Sequence, residues 1–410
     1  GATYNNKPIG IFDTGQKGKH ERQAFGMKIF LPNINSYLDR VNTLKALSSN
    51  TCKVTLILGF YDRDTGFKSS KNFRIISAKF ISGQKPLNLL RAYRVLNKIN
   101  RANPVDIVHD TFGNFILYFL FNFIKSKRPI FITSFYALDK WRINKVWNSY
   151  GYNLYDLLRT SSNRRMMAGG IIQSLLVKVC DHVVLQAPGL INRFEVYYPT
   201  QSSKIKIIPN SVDTDFWNSE DRADFTNTKP LKLLYVGRFD FTSAFKEVLV
   251  ALKELKDRFA THLTIVGKAG FSDEELVKGM IDKFDLCDHI TFKDSLDRNE
   301  ILKIYQSNHI LIYQTINDGS PRVVIEAISS GLPVIASHHP GIDVLDPQGE
   351  YISFTEFGNS AQIINQIETM MGSKSILEKA SLKGRKNIIQ GFGINKIAQV
   401  YGEIYRNVSL

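Results

Sequence analysis

The sequence predicts an α/β protein made of two doubly wound domains in tandem that face each other across a cleft. Short apolar runs rich in β-branched residues alternate with helical stretches along the 410 residues, which is the pattern of parallel sheets wrapped by helices. The chain also exceeds the roughly 250–300 residues at which a single hydrophobic core stops growing. One polar stretch, residues 218–230, interrupts the alternation, and we interpret it as the boundary region between two domains.

The first domain is expected to span residues 1–215. Its apolar runs predict strands that are joined mostly by helices, because short runs bounded by turn residues are typical of buried parallel strands. The strands are predicted, in chain order, at PIGIFD (8–13), KVTLILG (53–59), FRIISAKF (73–80), VDIVHD (105–110), PIFITSF (129–135), DHVVLQA (181–187) and KIKIIPN (204–210). The most apolar stretch, residues 112–124, is shorter than the roughly 20 residues of a membrane span and predicts a buried helix.

The second domain is expected to span residues 216–389, and the last helix, about residues 390–410, is expected to pack back on the first domain. Its strands are predicted at LKLLYVGRF (231–239), HLTIVGK (262–268), HITFKDS (289–295), HILIYQT (309–315) and PVIAS (333–337). The segment 245–259 predicts a helix between the first two strands. Because open α/β sheets bind ligands beyond the carboxyl ends of their strands, the ligands are expected in the cleft between the domains.

Charge divides the chain into unlike halves. Residues 1–200 hold 29 Lys and Arg against 11 Asp and Glu, whereas residues 201–410 hold 24 against 27. A solvated basic face would account for part of this excess, but a one-sided net charge of +18 also indicates a partner. The candidates are an anionic membrane surface, an anionic or lipid-linked acceptor and, with less support, nucleic acid.

The cysteines predict neither a metal site nor a disulfide framework. Cys52, Cys180 and Cys287 lack the spacing of zinc ligands or redox pairs, so we expect inert thiols in a reducing cytoplasm. The first residues show no charged and then apolar leader, which favours a cytoplasmic protein. With the basic first half, this predicts a peripheral location on the cytoplasmic face of the membrane.

The segment from Asp318 to Glu326, DGSPRVVIE, predicts a turn followed by a helix. Pro321 suits a first helical turn, and Gly331 suits the end of the helix. The amides at Gly319, Ser320 and the residues that follow are expected to be free at the helix start, where they would bind an anion such as a diphosphate. A capped helix with incidental carboxylates is the alternative.

This segment resembles the acid, seven residues, acid signature of family 4 of the glycosyltransferases, which have the GT-B fold of two facing Rossmann-like domains. In that family the first acid contacts the donor sugar and the second binds the ribose hydroxyls, which implies these roles for Asp318 and Glu326. Residues 207–217, IIPNSVDTDFW, resemble the interdomain segment of the family. Residues 233–240, LLYVGRFD, resemble the strand and loop whose arginine binds the donor diphosphate, which implies that role for Arg238.

The sequence departs from the family pattern after Arg238. Ser243 and Ala244 stand where the family usually has Lys-Gly, so either Lys246 supplies the second positive charge or the site has one cation fewer. The loops at 266–270 and 291–295 correspond to those that hold the nucleotide base and ribose. The resemblance therefore implies these donor-binding residues: Arg238, Lys246, Gly267, Ser320, Pro321, Arg322 and Glu326.

The acceptor side of the cleft is expected at the strand ends of the first domain. His109 and Asp110 end one predicted strand, where His109 is either part of the reaction centre or simply packed. Many family members carry a histidine after the next strand, but this chain has Phe135 there, so Ser134 or His109 is expected to contribute instead. The loop with Gly15 loosely resembles the acceptor loop. The residues assigned to catalysis are Asp318, Arg238 and His109.

One predicted helix, residues 86–101, carries a basic stripe. Four basic residues recur at helical spacing on one face: Arg91, Arg94, Lys98 and Arg101. Much of another side is apolar: Leu89, Tyr93, Leu96 and Ile99. Such a helix is expected to dock on anionic lipid, with an exposed basic face that has no lipid partner as the alternative. Residues 140–165 add basic and aromatic side chains that suit either lipid headgroups or single-stranded nucleic acid.

The resemblance implies an enzyme that transfers a sugar, with retention of configuration, from a UDP-, GDP- or ADP-sugar to a lipid-linked, glycan or other glycoconjugate acceptor. It implies no bound metal and no cofactor, and the triplet Asp62-Arg-Asp64 lacks the context of the Asp-x-Asp metal motif of other glycosyltransferases. Two alternatives stay open. One is another GT-B enzyme, such as a nucleotide-sugar epimerase, and the other is a catalytically idle protein that binds nucleic acid or a membrane.

Overall fold

The structure is a computed structural model that describes residues 25–31, 38–48, 52–58, 70–79, 85–102, 104–110, 115–122, 128–135, 138, 161–220, 222, 229–239, 243–267, 274–294, 296–316 and 318–409. Within these ranges the chain forms two parallel sheets, one in each half of the sequence, and helices connect their strands. The predicted fold class of two doubly wound α/β units is confirmed.

The first sheet has seven parallel strands in the order β3-β2-β1-β4-β5-β6-β7. They are β1 (Phe25–Leu31), β2 (Cys52–Leu58), β3 (Phe73–Ser77), β4 (Ile107–Asp110), β5 (Ile130–Ser134), β6 (His182–Leu185) and β7 (Ile205–Ile207). The strand order reverses between β1 and β4, which pair directly. A reversal of this kind opens a crevice at the carboxyl ends of the two strands.

Helices cover both faces of the first sheet. They are α1 (Leu38–Leu47), α2 (Lys85–Ala102), α3 (Ile116–Asn122), α4 (Ser161–Val179) and α5 (Leu190–Tyr197). Successive strand residues point to opposite faces, so Val108 packs with α2 to α5, whereas Ile107 packs with α1. The last helix of the chain shares the α1 face, where Tyr405 is fully buried.

Strand β1 lies at the centre of this sheet, although the apolar runs did not predict it. Its sequence, FGMKIFL, contains Gly26 and Lys28, and glycine and lysine weaken a strand pattern. Pairing with β2 along its whole length and with β4 on its other side stabilises the strand in the folded sheet. The strand predicted at residues 8–13 lies outside the described residues.

The second sheet has six parallel strands in the order β10-β9-β8-β11-β12-β13. They are β8 (Leu231–Val236), β9 (Thr261–Val266), β10 (Ile290–Lys293), β11 (Ile310–Tyr313), β12 (Val334–Ser337) and β13 (Ile352–Thr355), the last of which was not predicted. The helices are α6 (Phe245–Lys256), α7 (Glu274–Lys283), α8 (Arg298–Ser307), α9 (Arg322–Ser329), α10 (Pro340–Asp343), α11 (Ser360–Met371), α12 (Lys374–Phe392) and α13 (Ile394–Ser409). Here the strand order reverses between β8 and β11.

Residues 208–217 form the first part of the connection between the two sheets, and the end of the chain returns across this segment. Val212 forms an isolated bridge with Gly393, which lies between α12 and α13. Helix α12 packs on α9 of the second sheet, whereas α13 packs on α1 of the first. Across the described ranges, no helix has both the length and the apolar character needed to cross a bilayer.

Candidate active site

Asp318 lies in the loop between β11 and α9, at the crevice of the second sheet. Its carboxylate accepts hydrogen bonds from the Tyr313 hydroxyl at 2.9 Å and from the Ser320 amide at 3.1 Å. The residue is half-buried, and burial raises the pKa of its carboxyl group, while the bond from Tyr313 opposes this shift. The loop therefore holds one oriented carboxylate immediately before α9.

The amides before α9 are engaged by the protein itself. Ser320 donates to Asp318, and the Gly319 amide also forms a hydrogen bond with this carboxylate. These two amides are therefore not free, contrary to the prediction. The physical reason is the short aspartate side chain, which can fold back onto the amides one and two residues ahead. A diphosphate that used these amides would have to displace the carboxylate.

Glu326 lies one turn into α9 and is half-buried. Its Oε2 accepts a hydrogen bond from the Tyr305 hydroxyl at 3.3 Å. Burial raises the pKa of Glu326 to about 7, while Arg322 and Arg298 lower it and Asp39 raises it further. This carboxyl group therefore changes its protonation near neutral pH, and such strongly shifted groups in clefts are typical of functional sites.

The segment between β11 and α9 that carries Asp318, called the acid loop below, is held in place from two sides. From the interdomain connection, the Asn210 side-chain amide donates to the Ser320 carbonyl oxygen at 2.6 Å, and the Asn210 backbone amide donates to the Ser320 hydroxyl at 3.2 Å. From α10, Gly341 packs so closely that a Cβ atom there would lie 2.3 Å from the Asp318 carbonyl oxygen. Only glycine allows this approach, so both contacts fix the position of Asp318 relative to the cleft.

Two glycines bring the ends of β8 and β9 together. Gly237 and Gly267 have φ values of +147° and +144°, and a Cβ atom on Gly267 would lie 2.0 Å from the Gly237 carbonyl oxygen. Glycine is therefore required in both loops. The predicted donor loop at Gly267 thus begins beside the loop that carries Arg238, at the same edge of the sheet.

Arg238 and Lys246 are both exposed on the connection between β8 and α6. The Tyr235 hydroxyl donates to the Arg238 carbonyl oxygen at 2.8 Å, which fixes the backbone and leaves the guanidinium group outward. Lys246 is the second residue of α6, and the helix begins directly after Ala244, whose φ is +45°. Among the described residues, neither cationic group has a hydrogen bond or an ion pair. The structure thus places two exposed positive charges on the same connection.

His109 does not face the cleft. Its ring is fully buried, with Nε2 at 2.6 Å from the Ser134 hydroxyl and Nδ1 bonded to the Tyr405 hydroxyl of α13. Burial keeps the pKa of His109 well below its usual range, so the ring is neutral. Its assignment to the reaction centre needs correction, because contact with a substrate would require α13 to move away. The alternative of a packed histidine fits the structure.

The other residues predicted on the acceptor side are also engaged internally. Asp110 is buried and accepts a hydrogen bond from the Phe115 amide at 2.8 Å, and Ser134 is buried against His109. Phe135 is buried in the same sheet. Gly15 lies outside the described residues. A direct role of Asp110 and Ser134 in binding the acceptor stays a prediction.

Three of the four residues of the predicted basic stripe of α2 are exposed. Arg94, Lys98 and Arg101 are exposed, whereas Arg91 is half-buried and donates to the Lys79 carbonyl oxygen. The apolar side of the helix packs into the core of the first domain through Leu89, Tyr93, Leu96 and Ile99. The fold therefore buries this apolar side, and the docking of α2 on anionic lipid stays a prediction.

A polar cluster that the sequence did not predict joins α1 to α8. Arg298 forms an ion pair with Asp39, and the Arg298 guanidinium lies 3.9 Å from the centroid of the Phe216 ring. Asp39 also accepts a hydrogen bond from Trp217 Nε1 at 3.0 Å. Burial raises the pKa of Asp39, and Arg298 counteracts this shift. The only sequence signal was the aromatic pair at the end of the interdomain segment, because the charged partners are far apart in the chain.

A small cleft opens where α1, the interdomain connection, α9 and α13 meet. Its lining residues are Asp39, Arg40, Pro209, Asn210, Ser211, Arg322 and Tyr401. Pro321 occupies the N-cap position of α9 without a side-chain cap bond, and Arg322, at the first helical position, is an exposed residue of this lining. Within the part of the chain that the structure describes, no group of three or more His, Cys, Asp or Glu side chains is arranged to hold a metal ion.

Family comparisons match both halves of the chain. The model described as "Glycosyltransferase Family 4" matches residues 41–216, and the model described as "Glycosyl transferases group 1" matches residues 218–387. Glycogen synthase of Mycobacterium tuberculosis is 19% identical over 235 residues, which cover 57% of this chain and 56% of that enzyme. The chain thus matches little more than half the length of this relative.

Solved structures of glycosyltransferases share the fold over nearly the whole chain. Sucrose-phosphate synthase from Thermosynechococcus elongatus superposes with a TM-score of 0.72 at 15% identity, covering 94% of this chain and 99% of that chain. HepE from Anabaena, solved in complex with UDP-glucose, superposes with a TM-score of 0.65 at 15% identity, covering 93% and 99%. At these identities the likeness shows the fold alone.

Proposed function

The chain belongs to the family-4 glycosyltransferases, which have the GT-B fold, and from this membership we propose that it transfers a sugar from a nucleotide-sugar donor to an acceptor hydroxyl. The observation that carries the proposal is the acid pair on one strand, loop and helix unit. Tyr313 orients Asp318, and Tyr305 bonds to Glu326, so both carboxylates are held at the crevice of the second sheet.

The donor is proposed to lie along the carboxyl ends of β8, β9 and β11. Glu326 in its ionised form accepts hydrogen bonds from the ribose hydroxyls, and Asp318 binds a hydroxyl of the sugar. Arg238 and Lys246 attract the diphosphate from the β8–α6 connection, where both are exposed. Guanidinium groups suit paired phosphate oxygens, and fixed positive charges stabilise a departing diphosphate. HepE was solved with UDP-glucose, so UDP-sugars are the first donors to test.

The transfer is proposed to retain the configuration of the sugar and to need no metal. The acceptor oxygen attacks the anomeric carbon from the face that the diphosphate leaves, and the bond from the anomeric carbon to the phosphate oxygen breaks as the new bond forms. The proton of the acceptor hydroxyl passes to the departing diphosphate. In this mechanism the protein positions the two substrates, supplies positive charge near the departing diphosphate and excludes water. It requires no general base, so His109 needs no catalytic role.

The acceptor is proposed to be lipid-linked or otherwise anionic, presented to the basic first domain at a cytoplasmic membrane face. Arg94, Lys98 and Arg101 are exposed on α2. Leu90 of α2 and Phe121 of α3 are also exposed, at 43% and 68%, although the predicted apolar side is buried. Exposed apolar side chains near basic ones suit a surface of anionic lipid better than a bare phosphate backbone.

The donor site is tested by two substitutions. Arg238→Ala and Glu326→Ala should each weaken binding of the nucleotide-sugar by about tenfold or more, because each removes a charged hydrogen bond. Calorimetry would measure this after a panel of UDP-, GDP- and ADP-sugars has identified the donor by thermal shift and nucleotide release. Arg258→Ala and Glu378→Ala remove the same charges at exposed positions elsewhere and serve as controls.

The outcomes separate the alternatives. Unchanged affinity in both site variants would remove the proposed donor site, and the absence of binding to every donor would favour an idle binding protein. Conversion of the donor to another nucleotide-sugar without an acceptor would identify an epimerase.

A further inference from the structure

Helix α5 of the first domain reaches the acid loop of the second. Arg193 Nη1 lies 2.8 Å from His339 Nε2 and donates to the Ile316 carbonyl oxygen at 3.3 Å. Arg193 is half-buried on α5, between Leu190 and Phe194, which pack into the core of the first domain. Ile316 follows β11, two residues before Asp318. One guanidinium group therefore connects the core of the first domain to the loop that carries the first acid.

His339 continues this connection to Asp318. The Asp318 amide donates to His339 Nε2 at 3.3 Å, and the Gly341 amide faces His339 Nδ1 at 3.1 Å. A neutral imidazole accepts at one nitrogen and donates at the other. In the tautomer that is protonated at Nδ1, Nε2 accepts from Arg193 and from the Asp318 amide, and a second proton, on Nε2, would remove these hydrogen bonds. Burial and Arg193 lower the pKa of His339 to about 3, which keeps the ring neutral.

The backbone segments around this connection are packed so closely that α5 cannot shift independently of α10 and the acid loop. A Cβ atom on Gly189, directly before α5, would lie 2.9 Å from Pro340 Cβ, and one on Gly341 would lie 2.3 Å from the Asp318 carbonyl oxygen. Val344 of the second domain also packs against the apolar cluster of α5. A displacement of α5 would thus be transmitted to α10 and to the acid loop, because close-packed groups do not absorb such shifts.

We propose that Arg193 is a positioning residue, which orients Asp318 toward the donor sugar through His339 only while the two domains hold this arrangement. This inference rests on the proposed function. It adds that the first domain, besides binding the acceptor, determines how the second domain binds the donor sugar. The nucleotide end of the donor, bound at Glu326 and Arg238, would be insensitive to Arg193. The sugar end would depend on it.

The test compares the two ends of one bound donor. The probe is the pair that the donor screen selects: UDP with UDP-glucose, GDP with GDP-mannose or ADP with ADP-glucose. Saturation-transfer NMR reports how closely the sugar protons and the base protons contact the protein, and it needs no acceptor. In Arg193→Ala, the ratio of sugar to base saturation should fall by about half or more, while the affinity for the nucleoside diphosphate stays within about twofold.

Matched variants separate positioning from folding. Asn192→Ala, at the exposed neighbouring position of α5, should behave like the unchanged protein. His339→Gln keeps an acceptor and should lower the ratio less than His339→Val. Asp318→Asn combined with Arg193→Ala should lower the ratio no further than Asp318→Asn alone, because coupled residues are not additive.

An unchanged saturation ratio in Arg193→Ala, with the donor still bound, would overturn this inference and leave the proposed function standing. An equal decrease in the saturation of the base protons and of the sugar protons would also overturn it, since this would indicate a general structural role of Arg193. If the unchanged protein bound no donor of the panel, the proposed function would fail first, and this inference with it.

Discussion

Asp318 and Glu326 have different partners, although both belong to one short motif. Asp318 is bonded to Tyr313 and to the amides that follow it, whereas Glu326 is bonded to Tyr305 on a different helix. Burial raises the pKa of both carboxyl groups. The pKa of Glu326 is raised to about 7, so this residue is the one most able to make the proposed donor binding depend on pH near neutrality.

Donor affinity should rise with pH through the neutral range. Burial raises the pKa of Glu326 to about 7, and its ionised form is the better acceptor for ribose hydroxyls. If only that form binds, the dissociation constant of the nucleotide-sugar should be about tenfold larger at pH 6 than at pH 8. Calorimetry with the nucleotide-sugar suits this test, because its diphosphate has no group that titrates in this range.

Glu326→Gln is the matched variant for this pH dependence. It should bind the donor weakly at every pH, and it should unfold at a higher temperature than the unchanged protein at pH 8. The reason is that the pKa is above its usual value of 4.5 in the folded chain, so ionisation between these values opposes folding. A pH dependence that survives in Glu326→Gln would assign it to another group.

Lys246 is the candidate for the missing family lysine. It is exposed in the first turn of α6, on the same connection as Arg238. If it binds the diphosphate, Lys246→Ala should cost about 1.5–3 kcal/mol of donor binding, as expected for a charged hydrogen bond. Lys253→Ala, two turns further along α6, removes the same charge and is the control. A loss below about 0.5 kcal/mol would show that the site uses one cation fewer.

At the scale of the element, α2 shows how one helix can serve both the fold and a surface. Its apolar side packs into the first-domain core, and its basic residues Arg94, Lys98 and Arg101 point outward. Phe121 of the adjoining α3 is exposed and packs edge to face on Tyr93, with ring centroids 5.6 Å apart. The exposed basic and apolar side chains therefore come from two helices, which no single helical pattern reveals.

The exposed basic face of α2 should bind anionic vesicles. Arg94→Glu with Lys98→Glu should release the protein from them, because each basic residue near such a surface contributes about 1 kcal/mol. Cosedimentation with anionic and neutral vesicles at several salt concentrations would measure this, and donor affinity should not change. Lys379→Glu with Lys386→Glu on α12 is the matched control, since both residues are exposed.

A titration with single-stranded and duplex DNA at the same salt decides between the partners. Equal binding to neutral and anionic vesicles, or much tighter binding to DNA than to lipid, would contradict the proposed membrane surface.

At the scale of the whole molecule, polar contacts tie the two domains at several places. Asp39 pairs with Arg298, Asn210 bonds to Ser320, and Arg193 bonds to His339. Polar interfaces between domains usually permit relative motion, and in transferases such motion closes the site to water. Two of these contacts reach the acid loop, so a change in domain arrangement would alter the proposed donor site itself.

The fold class and the position of the acid pair on one turn and one helix could be predicted from the sequence because their signals are local. Alternating apolar runs predict parallel sheets, and the spacing of Asp318 and Glu326 depends only on one turn and one helix. Gly267 and Gly237 are likewise local, since each is required by the backbone at a strand end.

What the sequence alone determined was therefore the two-sheet architecture, the order of the family motifs and the spacing of the acid pair. The tertiary structure alone decided the surroundings of these residues. It buried His109 under Tyr405, nearly 300 residues later in the chain, and it brought Arg193 to His339 and Asp39 to Arg298. Such contacts join residues that are far apart in the chain, so their geometry arises from packing and leaves no periodic signal in the sequence.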